Sequence, residues 1–257
     1  MTDRLHFTRR TVLGLLLASV PFAVRAQGSL LEQGKGLLGG FGGQPGSTSG
    51  GSKGASLSEG EIGGGLKEAL KIASQKVTGQ LGKSDGYFKD PAIQIPLPGV
   101  LQQASNMLRS MGMSGMLDDL HLKMNRAAEH AAPKALSIFT DAVSKMSISD
   151  ARGILSGPND AATQYFKRTT SGNLTKAFKP IVDNSLSSVG AVSTFNSVKS
   201  QAGSMPMVGG ELKSFDLTEF TVGRALDGLF HYMGTEEAAI RTNPAARSTD
   251  LLKKVFS

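Results

Sequence analysis

The stretch Ser114–Arg168 reads SGMLDDLHLKMNRAAEHAAPKALSIFTDAVSKMSISDARGILSGPNDAATQYFKR and carries the densest helical periodicity in the chain. Its apolar residues recur at steps of three and four, a spacing that gathers them into one stripe on a helix. The first stripe contains Met116, Leu117, Leu120, Met124, Ala127, Ala128 and Ala131. Two more follow Pro133, namely Leu136, Phe139, Ala142, Val143 and Met146, then Ile148, Ala151, Ile154 and Leu155. Each stripe needs a partner surface, so the sequence predicts helices that pack on one another.

The composition allows a sizeable core and excludes several kinds of chemistry. Hydrophobic residues make up 39% of the 257 positions, while aromatic residues make up 6% and tryptophan is absent. There is no cysteine. That absence excludes disulfides, thiolate metal sites, iron–sulfur clusters, a cysteine nucleophile and a lipid-modified cysteine anchor.

Residues 1–26 are predicted to be an export signal. Arg9 and Arg10 precede the apolar run Val12–Val20, and Val24-Arg25-Ala26 places small residues where a signal peptidase cleaves. The string Thr8–Leu13 resembles a twin-arginine signal, and the alternative is an ordinary secretory signal. We expect cleavage after Ala26 and a periplasmic or secreted protein. The apolar run is shorter than the ~20 residues that a membrane span needs, so no transmembrane span is predicted.

The charge of the chain does not favour nucleic acid as a partner. The chain has 28 basic and 21 acidic residues, of which four arginines and one aspartate lie in residues 1–26. The remaining 24 and 20 leave a net charge of +4, and these charges are scattered rather than clustered on one face. Binding to a phosphate backbone needs clustered lysine and arginine, so no nucleic-acid partner is predicted.

Residues 27–57 are predicted to be a flexible, disordered tether. Eleven glycines occur within residues 27–56, with serine, threonine and glutamine between them. Such a segment loses much chain entropy on ordering and offers little apolar surface in return. Its string Gly34–Gly39 matches GxGxxG, but no strand precedes it and no helix follows, so it does not indicate a dinucleotide site.

Residues 58–257 are predicted to form one all-α domain of about nine helices. Ser58 with Glu61, Ser147 with Asp150, and Asp216 with Glu219 have the spacing of helix N-terminal caps. The segment Asp85–Pro98 contains three prolines and the alternating pair Ile93 and Ile95, which predict an extended strap packed across helices. Further helices are predicted through Leu174–Leu186, with a kink at Pro180, over residues 188–200, over 216–242 and over Thr249–Phe256, with a loop at Gly203–Gly210.

No motif in the chain indicates a metal site or a catalytic nucleophile. The histidines after the leader are His121, His130 and His231, and no pair of them has ligand spacing. Asp227 and His231 lie four apart, as in an ordinary polar pair on a helix surface. The string Gly112-Met113-Ser114-Gly115 is one residue short of a nucleophile elbow. No catalytic residue, metal or cofactor is therefore predicted.

One group of polar residues is the candidate binding site. Arg126 with Glu129 and Glu237 with Arg241 have the spacing of helix ion pairs. One interpretation is that the group fastens helices and loop ends together; the other is a polar cleft in which an arginine holds an anionic ligand. The candidate ligand-binding residues are Asn125, Arg126, Glu129, Asp160, Tyr165, Arg168, Glu237 and Arg241.

Six strings occur in order along the chain: IQIPLP at Ile93–Pro98, MNRAAE at Met124–Glu129, DAATQYF at Asp160–Phe166, ALDGLF at Ala225–Phe230, NPAAR at Asn243–Arg247 and DLLKKVF at Asp250–Phe256. Together they resemble the DUF4197 family of exported bacterial proteins of unknown function. The resemblance covers Ser58–Ser257. It implies a helical exported domain, and it implies neither an activity nor functional residues.

Three functions stay open at the level of sequence. The first is a non-enzymatic, exported binding or interaction protein with an unknown protein or small-molecule partner. The second is a carrier of a small apolar or anionic ligand, suggested by ten methionines and alanine-rich helix faces. The third is an uncharacterised enzyme that uses a polar cleft at Arg126 and Glu129 or at Glu237 and Arg241.

Overall fold

The computed structural model describes residues 58–110, 112, 114–202, 214–243 and 253. These residues form α1 (Glu59–Leu81), α2 (Gly99–Ser110), α3 (Ser114–Ala131), α4 (Ala135–Lys145), α5 (Ile148–Ser156), α6 (Ala161–Ser188), α7 (Ala191–Ala202) and α8 (Leu217–Thr242). A short 3-10 turn, Ala132–Lys134, joins α3 to α4 at Pro133. No strand occurs in this part of the chain, so the prediction of an all-α fold is confirmed.

Some predictions fall on residues that the structure does not describe. The leader (1–26), the tether (27–57), the loop at Gly203–Gly210 and the helix at Thr249–Phe256, apart from Lys253, lie outside the described residues. The described part contains eight α-helices of the nine or so predicted. None of the described helices combines the length and apolarity needed to cross a membrane.

The predicted helix starts agree with the structure, and so do the apolar stripes except at Ile148, which is 57% exposed at the start of α5. Ser58 and Glu61 form a complete capping box, as do Ser147 and Asp150, and the Asp216 carboxylate accepts the Glu219 amide at 2.8 Å. These side chains satisfy amides that have no partner inside the helix. The stripe of α3 is inside the protein, and Leu117, Leu120 and Met124 are fully buried.

The core lies where α4, α6 and α8 meet. Phe139 of α4 packs on Phe166 of α6 with 4.7 Å between ring centroids and on Phe230 of α8 at 6.2 Å. Helix α6 continues from Ala161 to Ser188 through Pro180, so this proline does not end the helix. Gly190, at φ 71°, makes the turn between α6 and α7, in a left-handed conformation that suits glycine.

Residues 82–98 form the strap between α1 and α2. The chain makes turns as far as Ile93 and has no regular secondary structure over residues 94–98. The Lys89 amide donates to the Asp85 carbonyl at 3.2 Å and the Gln94 amide to the Asp90 carbonyl at 2.8 Å. The predicted extended path over Asp85–Pro98 is therefore wrong for its first half, because these local hydrogen bonds form turns there.

The strap packs on α8 through one buried aromatic ring. Tyr87 is fully buried, and its hydroxyl donates to the Ala225 carbonyl of α8 at 2.8 Å. Burial raises the pKa of this phenol well above its usual value, because the charged form would lose its hydration. Gly228 of α8 makes room for the ring, since a Cβ there would lie 2.7 Å from Tyr87 Cε1 and 3.1 Å from Ile93 Cβ.

We expect Gly228→Ala to destabilise the protein by about 1–3 kcal/mol, because the added methyl overpacks the contact between the strap and α8. Gly223→Ala is the matched control on the same helix. That glycine is exposed, with open space where a Cβ would be, so alanine should stabilise it by up to about 1 kcal/mol through helix propensity. Thermal and urea unfolding measure both variants, and equal effects of the two would contradict the packing account.

Candidate functional site

Five of the eight candidate residues form two groups, each centred on a buried glutamate. Glu129 of α3 and Glu237 of α8 are 2% and 6% exposed. Each carboxylate accepts two consecutive backbone amides and pairs with an arginine on its own helix. We call the first group the strap clamp and the second the α6 clamp.

In the strap clamp, Glu129 holds the first half of the strap. Its Oε1 accepts the amides of Tyr87 and Phe88, both at 3.1 Å, and its Oε2 accepts Arg126 Nη1 at 2.7 Å. A buried carboxylate loses its hydration, and these three donors replace it. Glu129 is therefore satisfied by the strap and by its own helix.

Arg126 continues the strap clamp to Asp85. Its Nη2 donates to Asp85 Oδ1 at 2.5 Å, and Lys89 Nζ lies 2.8 Å from Asp85 Oδ2. Hydrogen bonds from Lys89 and then from Arg126 lower the pKa of the Asp85 carboxyl. Asp85 has φ 69°, the left-handed conformation that aspartate and asparagine tolerate better than most residues. The ion pairs hold the strap at this tight turn.

Asn125 holds the second half of the strap, residues 94–98. Its Oδ1 accepts the Ile95 amide at 2.8 Å, and its Nδ2 donates to the Ile95 carbonyl at 3.0 Å and to the His121 carbonyl at 2.8 Å. The fully buried amide thus pairs with both backbone groups of one residue, as a neighbouring β-strand would. Asn125 satisfies backbone that has no strand partner.

The α6 clamp joins the start of α6 to the end of α8. Glu237 Oε1 accepts the Ala162 amide, and Oε2 accepts the Thr163 amide and hydroxyl, all at 2.8 Å. Arg241 Nη2 lies 3.0 Å from Glu237 Oε1 and donates to the Ile154 carbonyl of α5 at 2.7 Å. A carboxylate at a helix N-terminus is favourable, because it meets free amides and the positive end of the helix dipole.

The other three candidate residues belong to neither clamp, and only Tyr165 among them is buried. Asp160 is exposed and accepts a hydrogen bond from Gln164 Nε2 at 3.0 Å. The Tyr165 hydroxyl donates to the Ala142 carbonyl at 3.1 Å, and exposed Arg168 lies over the Tyr165 ring at 5.8 Å. Although Asp160 precedes α6, its side chain does not cap the helix; Glu237 does so from 75 positions further along the chain.

Sequence reasoning missed the strap residues that complete the strap clamp. Asp85 and Tyr87 were assigned only to the strap, and the hydrogen bond from the Tyr232 hydroxyl to Asp90 was not foreseen. That bond is the main reason why the pKa of the Tyr232 phenol is raised, and burial is the second reason. The turn signal Asp85-Gly86 was visible, but nothing in the sequence shows that an arginine 41 positions away pairs with it.

Three openings lie beside these groups. A mostly apolar cavity of about 20 Å³, lined by residues such as Leu66, Met233 and Glu237, adjoins the α6 clamp and has room for one water molecule. Two open grooves flank the strap. One, of about 470 Å³, is lined by residues including Lys83, Ser84 and Pro91, and the other, of about 240 Å³, by residues including Ala92, Arg224 and His231.

Every contact described above for the two clamps joins one part of the protein to another and stabilises the fold. Among the described residues, no group of three or more histidine, aspartate or glutamate side chains is placed to hold a metal ion. The carboxylates of Glu129 and Glu237 face backbone amides of the protein itself. The assignment of the eight candidate residues as ligand contacts therefore stays a prediction.

We expect Glu237→Gln to destabilise the protein by about 3 kcal/mol, because a neutral amide cannot replace the buried carboxylate that accepts the Ala162 and Thr163 amides and pairs with Arg241. Glu236→Gln is the matched control one position earlier. Glu236 pairs at 2.6 Å with Lys76, whose side chain is 60% exposed, so its loss should cost less than about 1 kcal/mol. Chemical denaturation at pH 7 compares the two, and a Glu237→Gln variant as stable as the control would contradict the structural role of the clamp.

Comparison with known proteins identifies the family of this chain and no activity. No curated protein and no solved structure matches the chain. The model of the family DUF4197, described as a protein of unknown function, matches residues 56–257 and so includes all the described residues. The family expected from the strings at Ile93–Pro98, Met124–Glu129 and Asp160–Phe166 is therefore confirmed. The chain belongs to the DUF4197 family.

Proposed function

We propose that this protein is an exported, non-enzymatic binding protein and that the outer surface of the strap is what its partner recognises. The observation that carries the proposal is the way the strap is held. Residues 82–98 are bonded to α3 through Glu129, Arg126 and Asn125, and to α8 through Tyr87. A loop fixed so firmly presents its exposed side chains in one arrangement, which lowers the entropy cost of binding.

The exposed side of the strap offers a surface of mixed chemistry. Lys83, Ser84, Pro91, Ala92 and Pro96 are exposed, and an open groove lies on each side of the segment. Such a surface combines charged, polar and apolar contacts, as transient protein interfaces do. A protein partner therefore fits it better than a small ligand that needs enclosure.

The other two functions receive less support from the geometry. A carrier of a drug-sized ligand uses a cavity of roughly 300–1,000 Å³, whereas the cavity beside Glu237 is about 20 Å³. An enzyme that used Arg126 with Glu129, or Glu237 with Arg241, would have to free carboxylates that already hold backbone amides. Export is supported by the pattern of residues 1–26, which also favours a periplasmic or secreted location.

Site-specific photocrosslinking tests the strap surface. A photoreactive amino acid at Lys83 or Ala92 is expected to form a defined adduct in cells, because these side chains point away from the strap's internal contacts. The same residue at Lys176 or Lys179, exposed on α6, is the control and should not form that adduct. The same adduct from the α6 positions, or none from the strap positions, would count against recognition through the strap.

Export has its own test. The chain recovered from cells should lie outside the cytoplasm and begin at Gln27, as read from cell fractionation and intact mass. Replacing both Arg9 and Arg10 with lysine should leave the precursor in the cytoplasm if the twin-arginine route is used. Normal processing of that double variant would exclude this route, and a full-length wild-type chain in the cytoplasm would refute export.

A further inference from the structure

His121 of α3 faces the strap and touches both of its halves. Its ring meets the Phe88 ring edge-on, with 5.6 Å between centroids, and the Ile95 backbone lies close enough to raise the pKa of the ring. Phe88 belongs to the turns of the strap and Ile95 to the segment that follows them. One imidazole therefore packs against the two segments that Glu129 and Asn125 hold.

The Nε2 atom of this ring does not take part in the contacts that hold the strap. His121 Nε2 is out of contact with solvent, and no hydrogen-bond partner for it lies among the described residues. In the neutral ring the cost is an unsatisfied acceptor. In the protonated ring Nε2 becomes a charged donor without an acceptor, and burying such a group costs far more.

The charges around His121 only partly offset that cost. Asp118 lies one turn earlier on α3 and pairs with Arg109 of α2 at 3.5 Å. On the strap side, the Arg126 guanidinium covers the Phe88 ring at 5.7 Å, and Asp85 and Glu129 are the ion-pair partners of that arginine. Burial lowers the pKa of His121, while the Ile95 backbone and the Asp118 charge act in the opposite direction.

We propose that His121 is an acid-sensitive latch for the strap: protonation of its ring releases Phe88 and Ile95 from α3. The docked strap favours the neutral ring, and a released strap lets the ring reach water. At neutral pH, Glu129 and Asn125 hold the strap on α3. Protonation of His121 opposes both contacts, because the charged ring is disfavoured while the strap is docked.

The direction of the pH effect follows from the lowered pKa. His121 binds a proton more weakly when the strap is docked than when its ring is in water. Docking is therefore fully favourable above about pH 6.5, where the ring is neutral in both states. It weakens as the pH falls from there toward the pKa of the docked ring, by up to about tenfold in the docking equilibrium per pH unit. The biological role of this pH response rests on the proposed function. Under that function, acid would change the strap surface that the partner binds.

Hydrogen exchange of the purified chain without any partner tests the latch, so the result does not depend on whether the strap binds anything. Protection factors of the strap amides, including Tyr87, Phe88 and Ile95, are compared at pH 7.5 and 5.5 after correction for intrinsic exchange. Amides of α6 serve as the internal reference. In the wild type we expect strap protection to fall several-fold more than α6 protection at the lower pH.

Three variants identify the responsible group. His121→Gln and His121→Phe cannot be protonated in this range, so their strap protection should not respond to pH; the pair guards against one of them failing to fold. His231→Gln, at an exposed histidine, is the control and should behave like the wild type. Equal strap protection at both pH values in the wild type, or a pH response that persists in the His121 variants, would overturn the latch.

Discussion

A buried carboxylate that accepts two consecutive backbone amides is the interaction on which this structure depends. Glu129 does so for the strap and Glu237 for the first turn of α6, and each is joined by an arginine of its own helix. Backbone amides inside a protein need acceptors, and neither a strap without strand partners nor a helix start supplies them locally. The two glutamates supply them from elsewhere in the chain.

This arrangement links distant parts of the sequence through hydrogen bonds of buried polar groups as well as through apolar contact. The Glu237 bond to α6 spans 75 positions and the Tyr87 bond to Ala225 spans 138. Buried ion pairs contribute less to stability than well-packed apolar residues often would, but the loss of one partner is costly, so they define one geometry sharply. Here the defined geometry is the position of the strap on α3 and α8.

The position of the strap connects the proposed function with the proposed pH response. A non-helical segment on a helical scaffold is a common place for recognition, because the scaffold sets its backbone while its outward side chains are free to vary. The groups that hold the strap include a histidine ring, and histidine is the side chain whose charge ordinarily changes between pH 5 and 8. Under both proposals, acid would alter this surface and leave the helical core unchanged.

The all-α class, the helix order and the main apolar stripes followed from the sequence by itself, because three- and four-residue periodicity and local caps act over a few positions. Ser58 with Glu61 and Ser147 with Asp150 show this directly. The family likewise followed from short strings in order along the chain. The sequence also singled out the pairs Arg126 with Glu129 and Glu237 with Arg241 by their helical spacing, and the structure brings each pair together.

Only the tertiary structure decided what those polar residues bond to. Asp160 precedes α6, yet Glu237 caps it, and Arg126 pairs with Asp85 as well as with Glu129. Local hydrogen bonds form the turns at the start of the strap, and Glu129 of α3 bonds them to the helices by accepting the Tyr87 and Phe88 amides. The physical reason is range: periodicity and capping are local, whereas the partner of a buried charge is whichever group the packing of distant helices brings within reach.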